Sequence, residues 1–80
     1  MSVKVYIMVA TTPGTPKQVH ERLTQTSNVT DVREVIGPYD IVVEIQAGEL
    51  PEVPAILNAI RSLDGIQSTT SLVCFPTART

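Results

Sequence analysis

The sequence predicts an α+β domain in which one four-stranded antiparallel sheet carries two helices on a single face, in the order βαββαβ. Three observations point to it. Residues 3–10 and 41–46 alternate at period two and are rich in Val and Ile, the mark of half-buried strands. Residues 50–63 repeat apolar side chains at spacings of three and four, the mark of an amphipathic helix. The two halves of the chain also echo each other, with Asn28-Val29 and Gly65-Ile66 in matching places between a helix and a strand.

The elements follow in order. Val3, Val5, Ile7 and Val9 alternate with Lys4, Tyr6, Met8 and Ala10 to make a first strand, punctuated by Thr12-Pro13-Gly14. Thr15-Pro16-Lys17-Gln18 reads as a helix start, with Thr15 as cap, Pro16 at the first helical position and Gln18 completing a capping box. Val19 and Leu23 then face one way, and this helix ends near residues 26–28. Residues 29–36 form a second strand carrying Asp31, Arg33 and Glu34, and charge of that kind belongs on an edge. Gly37-Pro38-Tyr39-Asp40 is a turn. Ile41, Val43 and Ile45 alternate with Val42, Glu44 and Gln46 in a third strand, and so short a connection makes strands two and three an antiparallel hairpin. Leu50, Val53, Ile56, Leu57, Ile60 and Leu63 line the second helix, which starts at either Pro51 or Pro54 and stops at Asp64-Gly65. Residues 66–75 are the fourth strand.

Two right-handed crossovers then put both helices on one face of a ferredoxin-like sheet with strand order 4-1-3-2. That order makes the two most apolar strands central. The domain spans residues 1–76, with a tail at 77–80. Eighty residues hold one domain only, of a size that relies on help beyond its own core. One cysteine (Cys74) and one histidine (His20) exclude an internal disulfide and a Cys/His metal cluster, and the expectation is neither metal nor cofactor. Oligomerisation is the remaining support.

Charge and hydropathy narrow the partners. Six basic residues are scattered singly against eight acidic ones, so no phosphate-binding patch is expected and no direct contact with nucleic acid. No segment approaches a membrane span, and a lone cysteine fits a reducing, cytoplasmic setting.

Helices on one face leave the other open. The natural core face is Val3, Val5, Ile7, Val9, Ile41, Val43 and Ile45. The open face takes Tyr6, Met8, Ala10, Val42 and Glu44, and alternation in the fourth strand adds Thr69, Ser71, Val73 and Phe75, turning Ile66, Leu72 and Cys74 inward or toward an end. An open face is normally polar, whereas this one is apolar at its centre. A dimer packed sheet to sheet through Tyr6, Met8, Val42 and Val73, a dimeric α+β barrel, is therefore expected.

No catalytic constellation is visible. His20 is a flanking helix residue, Cys74 a small hydrophobe, and Glu49 and Glu52 suit a helix N-terminus. The segment Gly37-Pro38-Tyr39-Asp40 serves first as a hairpin turn. It also offers a carboxylate, backbone amides and an aromatic wall, which suit a small zwitterion: Asp40 for the ammonium group, the amides for the carboxylate.

These residues resemble a known family. The run Gly37-Pro38-Tyr39-Asp40-Ile41-Val42 resembles the G-x-Y-D segment of the Lrp/AsnC regulators' effector-binding (RAM) domain. Leu63-Asp64-Gly65-Ile66 followed by Thr69-Thr70-Ser71-Leu72-Val73 resembles that family's P-G-V-x-x-T-x-T pattern, with one helix between the two motifs. Asp64 replaces the family's proline and Ser71 its second threonine, which keeps the hydroxyl. The resemblance covers residues 3–75.

It implies dimers joined through the sheet faces, rings of dimers such as octamers, and an amino-acid effector held between dimers. By the same resemblance Gly37, Tyr39, Asp40, Thr69 and Ser71 would line that effector site. Full-length members carry a helix-turn-helix ahead of this domain; here the first strand starts at Val3, so the expectation is an indirect regulator acting as a sensor or by co-assembly with a full-length member. The competing expectations are a small dimeric α+β-barrel enzyme, of the monooxygenase or isomerase kind, and a pure assembly module.

Overall fold

Alternating Val and Ile residues build the centre of the sheet. The computed structural model describes residues 2–75. Its strands are β1 (Val3–Thr11), β2 (Val29–Glu34), β3 (Ile41–Ala47) and β4 (Ile66–Val73), and its helices are α1 (Pro16–Thr24) and α2 (Val53–Arg61). The strands form one antiparallel sheet in the order β2-β3-β1-β4, as the crossover rule required. This is the ferredoxin-like arrangement, with β1 and β3 central.

Val5, Ile7 and Val9 of β1 and Ile41, Val43 and Ile45 of β3 are fully buried. Val19 and Leu23 of α1 and Val53 and Ile60 of α2 pack onto them in one core, so both helices cover the same face. Val3 joins this core only partly, because it sits at the open end of β1.

Several local expectations give way to tertiary contacts. Thr15 makes no capping bond to α1; its hydroxyl donates to Thr12 O at 2.6 Å and tightens the preceding turn, so no capping box forms. β2 ends at Glu34, leaving Val35 and Ile36 exposed in the loop to β3. Pro51 lies in a single 3-10 turn, Leu50–Glu52, and Pro54 in the first turn of α2, so both prolines sit where no helical N–H is missed. Leu50 is consequently exposed rather than part of the buried stripe.

The echo between the halves is a repeated turn. Asn28 (φ 72°) and Gly65 (φ 92°) both hold the left-handed conformation immediately before a strand. In each turn the N–H of the next residue reaches back three positions, Val29 to Thr26 O at 3.3 Å and Ile66 to Leu63 O at 3.4 Å. Gly65 has a second constraint: a Cβ there would lie 2.6 Å from Val19 Cγ2 of α1.

The phase of β4 is the main correction. Val73 pairs with Val5, Ser71 with Ile7 and Thr69 with Val9. Directly paired residues share a face, so Thr69, Ser71 and Val73 lie on the helix-covered side, and Leu72, Thr70 and Ser68 take the open side. Phe75 lies beyond the end of β4 and is exposed. A slip of one residue reverses every side chain. The run Leu72-Val73-Cys74 is apolar throughout and carries no alternation from which to read the phase. The tail expected at 77–80 lies outside the described residues.

Candidate functional site

The loop between β2 and β3 is fixed from both ends. Val35 N–H donates to Asp40 O at 2.9 Å, and Asp40 N–H donates to Val9 O at 2.9 Å, which closes the loop onto β1. Asp40 Oδ2 then accepts from the backbone N–H of Thr11 at 2.7 Å and from Thr11 Oγ1 at 3.1 Å. Thr11 lies past Val9–Ile41, the last pair of β1 with β3, and its backbone faces the β3 side as that of Val9 does, so no ladder partner remains for its N–H and the carboxylate satisfies it. Thr12 N–H, next along, donates to Gly65 O at 2.8 Å.

Tyr39 reaches across β1. Its hydroxyl lies 2.9 Å from Thr70 Oγ1 of β4, on the open face where Thr70 pairs with Met8. Gly37 is exposed, with open space around its Cα.

The structure therefore divides the expected effector residues. Tyr39 and Asp40 come together at one end of the sheet, with Thr11 and Thr70 as partners. Thr69 and Ser71 belong to the opposite face. Thr69 Oγ1 accepts from Arg61 Nε at 3.3 Å, and Ser71 Oγ is buried with no hydrogen-bond partner. Asp40 is not the unengaged carboxylate that the turn composition suggested, since Oδ2 carries two bonds. Thr11, Thr70 and Arg61 were not anticipated. Thr11 and Thr70 become visible only once the register is known; Arg61 stands one residue outside the apolar stripe of α2 and carries no signal in its spacing.

On the open face, Met8 lies beside Val42 on one side and Thr70 on the other, with Tyr6 between Glu44 and Leu72. Tyr6, Met8 and Val42 are thus neighbours, as expected. Val73 leaves this patch for the helix side, and Leu72, 52% exposed, takes its place. Charged groups edge the patch: Glu44 Oε2 lies 3.8 Å from Lys4 Nζ, Glu44 Oε1 accepts from Thr30 Oγ1 at 2.8 Å, and Arg33 Nε lies 3.1 Å from Asp31 Oδ2. An open groove of about 220 Å³ runs between the end of α1 and β2, lined by Thr24, Val29, Thr30, Asp31 and Val32. Among the described residues no three metal-ligating side chains gather, and no helix is long and apolar enough to cross a membrane.

Comparison with known proteins places this geometry. The model of the Lrp/AsnC ligand-binding domain matches residues 4–79. The chain belongs to that family. A hypothetical protein from Pyrococcus horikoshii has the same fold over 95% of this chain and 93% of its own, with a TM-score of 0.85 and 26% identity. AsnC of Escherichia coli superposes over 98% of this chain and 54% of its own, with a TM-score of 0.84; at 20% identity it shares the fold. A homocitrate synthase from Saccharolobus islandicus is 43% identical over 56 residues, which is 69% of this chain and 12% of that enzyme. The chain spans only that small fraction of the curated relative. This family is regulatory, and the domain is its ligand-binding part.

Proposed function

We propose that this chain is an effector-binding regulatory module that takes a small amino acid and assembles through its sheet face. Family membership over residues 4–79, together with a rigid Tyr39–Asp40 turn, carries the reading. The domain performs no chemistry of its own: binding energy is converted into a change of assembly, and any effect on transcription or on an enzyme passes through that change. The match to a small part of a homocitrate synthase supports a portable module, since a domain of this kind then accompanies proteins of unlike activity.

The interface is the apolar centre of the open face, Tyr6, Met8 and Val42, with Leu72 in the position first given to Val73. Two such faces pack as sheets do, and dimers add into a higher ring. A full-length Lrp/AsnC regulator offering the same interface is a natural hetero-partner.

A thermal-shift screen against the twenty amino acids tests the effector reading. Ligand at ~100 times its dissociation constant adds about 2.7 kcal/mol of stability. A flat response across the panel refutes amino-acid sensing.

A further inference from the structure

We propose that Glu44 selects the partner of the open face: a basic side chain of a second copy, Lys4 or Arg33, meets its carboxylate. The proposal rests on the sheet-face assembly proposed above and names the charge pairing that makes it specific. Strand pairing lays the open face out as a grid. Arg33, Val42 and Met8 stand in one row, and Asp31, Glu44 and Tyr6 in the next. Lys4 and Gln46 pair in a third. The boundary between the charged β2 side and the apolar centre therefore runs through Glu44.

That place is an uncomfortable one for a carboxylate. The Glu44 side chain is only 22% exposed before any partner arrives. On one side it faces the Tyr6 ring, and on the other Asp31, a like charge in the directly opposite position, which costs stability. Its neighbours within the chain offset this in part. Oε1 accepts from Thr30 Oγ1 at 2.8 Å, but the nearest cation, Lys4 Nζ, is 3.8 Å from Oε2, beyond the reach of a charge-assisted hydrogen bond. Arg33 turns instead to Asp31, with Nε 3.1 Å from Oδ2, and its side chain remains 75% exposed.

A second sheet laid on Tyr6, Met8 and Val42 takes the remaining water from Glu44. A carboxylate desolvated without a counter-charge opposes association, whereas one met by a guanidinium or an ammonium favours it. Among the described residues the open face presents two cations, Lys4 and Arg33, so a second copy supplies the charge that Glu44 needs. In a two-fold contact the pairing forms twice, because each copy gives a cation and receives one. A relative with an acidic or apolar group in that place leaves Glu44 buried and unpaired. Glu44 thereby decides which chains this one assembles with, itself included.

The test uses the whole chain, with sedimentation for affinity and native mass spectrometry after subunit exchange for partner choice. Glu44→Gln weakens assembly about 10-fold or more. Glu44→Lys is then mixed with Arg33→Glu and, separately, with Lys4→Glu. It joins one of them in heterodimers about 10-fold above the statistical share, and that one names the cation. Glu21→Lys, which changes an exposed residue of α1 and gives the same net charge, shows no such preference. Recovery in the mixture also excludes misfolding as the cause of a single variant's loss. Statistical mixing with both acidic variants overturns the proposal, and so does a Glu44→Gln chain that assembles more tightly than wild type. Dissociation of the wild-type particle by Met8→Glu shows in either case that the assembly reading survives. A particle that Met8→Glu leaves intact is built on another face, and overturns both. A wild type that is monomeric at every concentration overturns both as well.

Discussion

Replacing Asp40 separates its role as turn anchor from the ligand contact proposed for it. Its Oδ2 accepts the backbone N–H and the hydroxyl of Thr11, and Thr11 is 7% exposed. Asp40→Ala strands both donors. Each buried, unsatisfied polar group costs ~1–3 kcal/mol, and partial hydration at this half-buried site lowers that, so the sum is about 2–4 kcal/mol. A domain of this size holds roughly 5–15 kcal/mol in total. At about 4–8 °C per kcal/mol, the Ala variant melts at least ~8 °C below wild type. Asp40→Asn keeps an acceptor oxygen but loses the charge assistance, and costs about 1 kcal/mol. The assay is thermal and urea unfolding at one fixed protein concentration, because assembly makes Tm concentration-dependent. Hydrogen exchange at the Thr11 amide gives the local readout and speeds up in the Ala variant. A Tm for Asp40→Ala within ~2 °C of wild type, at about the precision with which small stability changes are read, refutes the anchoring role. An Asn variant that keeps its stability yet loses its ligand response assigns the negative charge to the ligand.

Three further predictions follow from the packing. Gly65→Ala combines a left-handed conformation with a Cβ 2.6 Å from Val19 Cγ2, and destabilises by about 2–4 kcal/mol in urea melts; Asn28→Gly, in the matching turn, changes stability by only a few tenths. Met8→Glu places a charge at the centre of the open face and yields monomers by sedimentation, as does Leu72→Glu, whereas Val73→Glu on the other face leaves the particle intact; an unchanged Met8→Glu particle shows the interface lies elsewhere. Tyr39→Phe and Thr70→Val, taken as a double-mutant cycle in unfolding, give a coupling of about 0.5–1.5 kcal/mol, and additive effects show the 2.9 Å contact is not formed in solution.

Much of the fold is legible in local pattern because the strands and the second helix sit against one core. A half-buried strand must alternate, and β1 and β3 do so without interruption, which reveals both their buried face and their central place. Asn28 and Gly65 mark the same turn twice, because few residues accept positive φ. The Gly37–Asp40 turn is visible from its composition. What composition does not show is what Asp40 bonds to. Its partner Thr11 is 29 positions away, and the need for that bond arises only because β1 runs on past the start of β3.

The sequence by itself determined the order of elements, the buried face of β1 and β3, the apolar centre of the open face and the family motifs. Each rests on a periodicity or a spacing within a few residues, which local sterics and hydrophobicity impose. Only the tertiary structure decided the phase of β4, and with it that Thr69 and Ser71 face α2 and Arg61 while Thr70 and Leu72 face the open side. The reason is physical. β4 is an edge strand with apolar and hydroxyl residues on both faces, so its burial pattern is nearly symmetrical, and pairing with β1 chooses between two registers that local preference leaves close in energy.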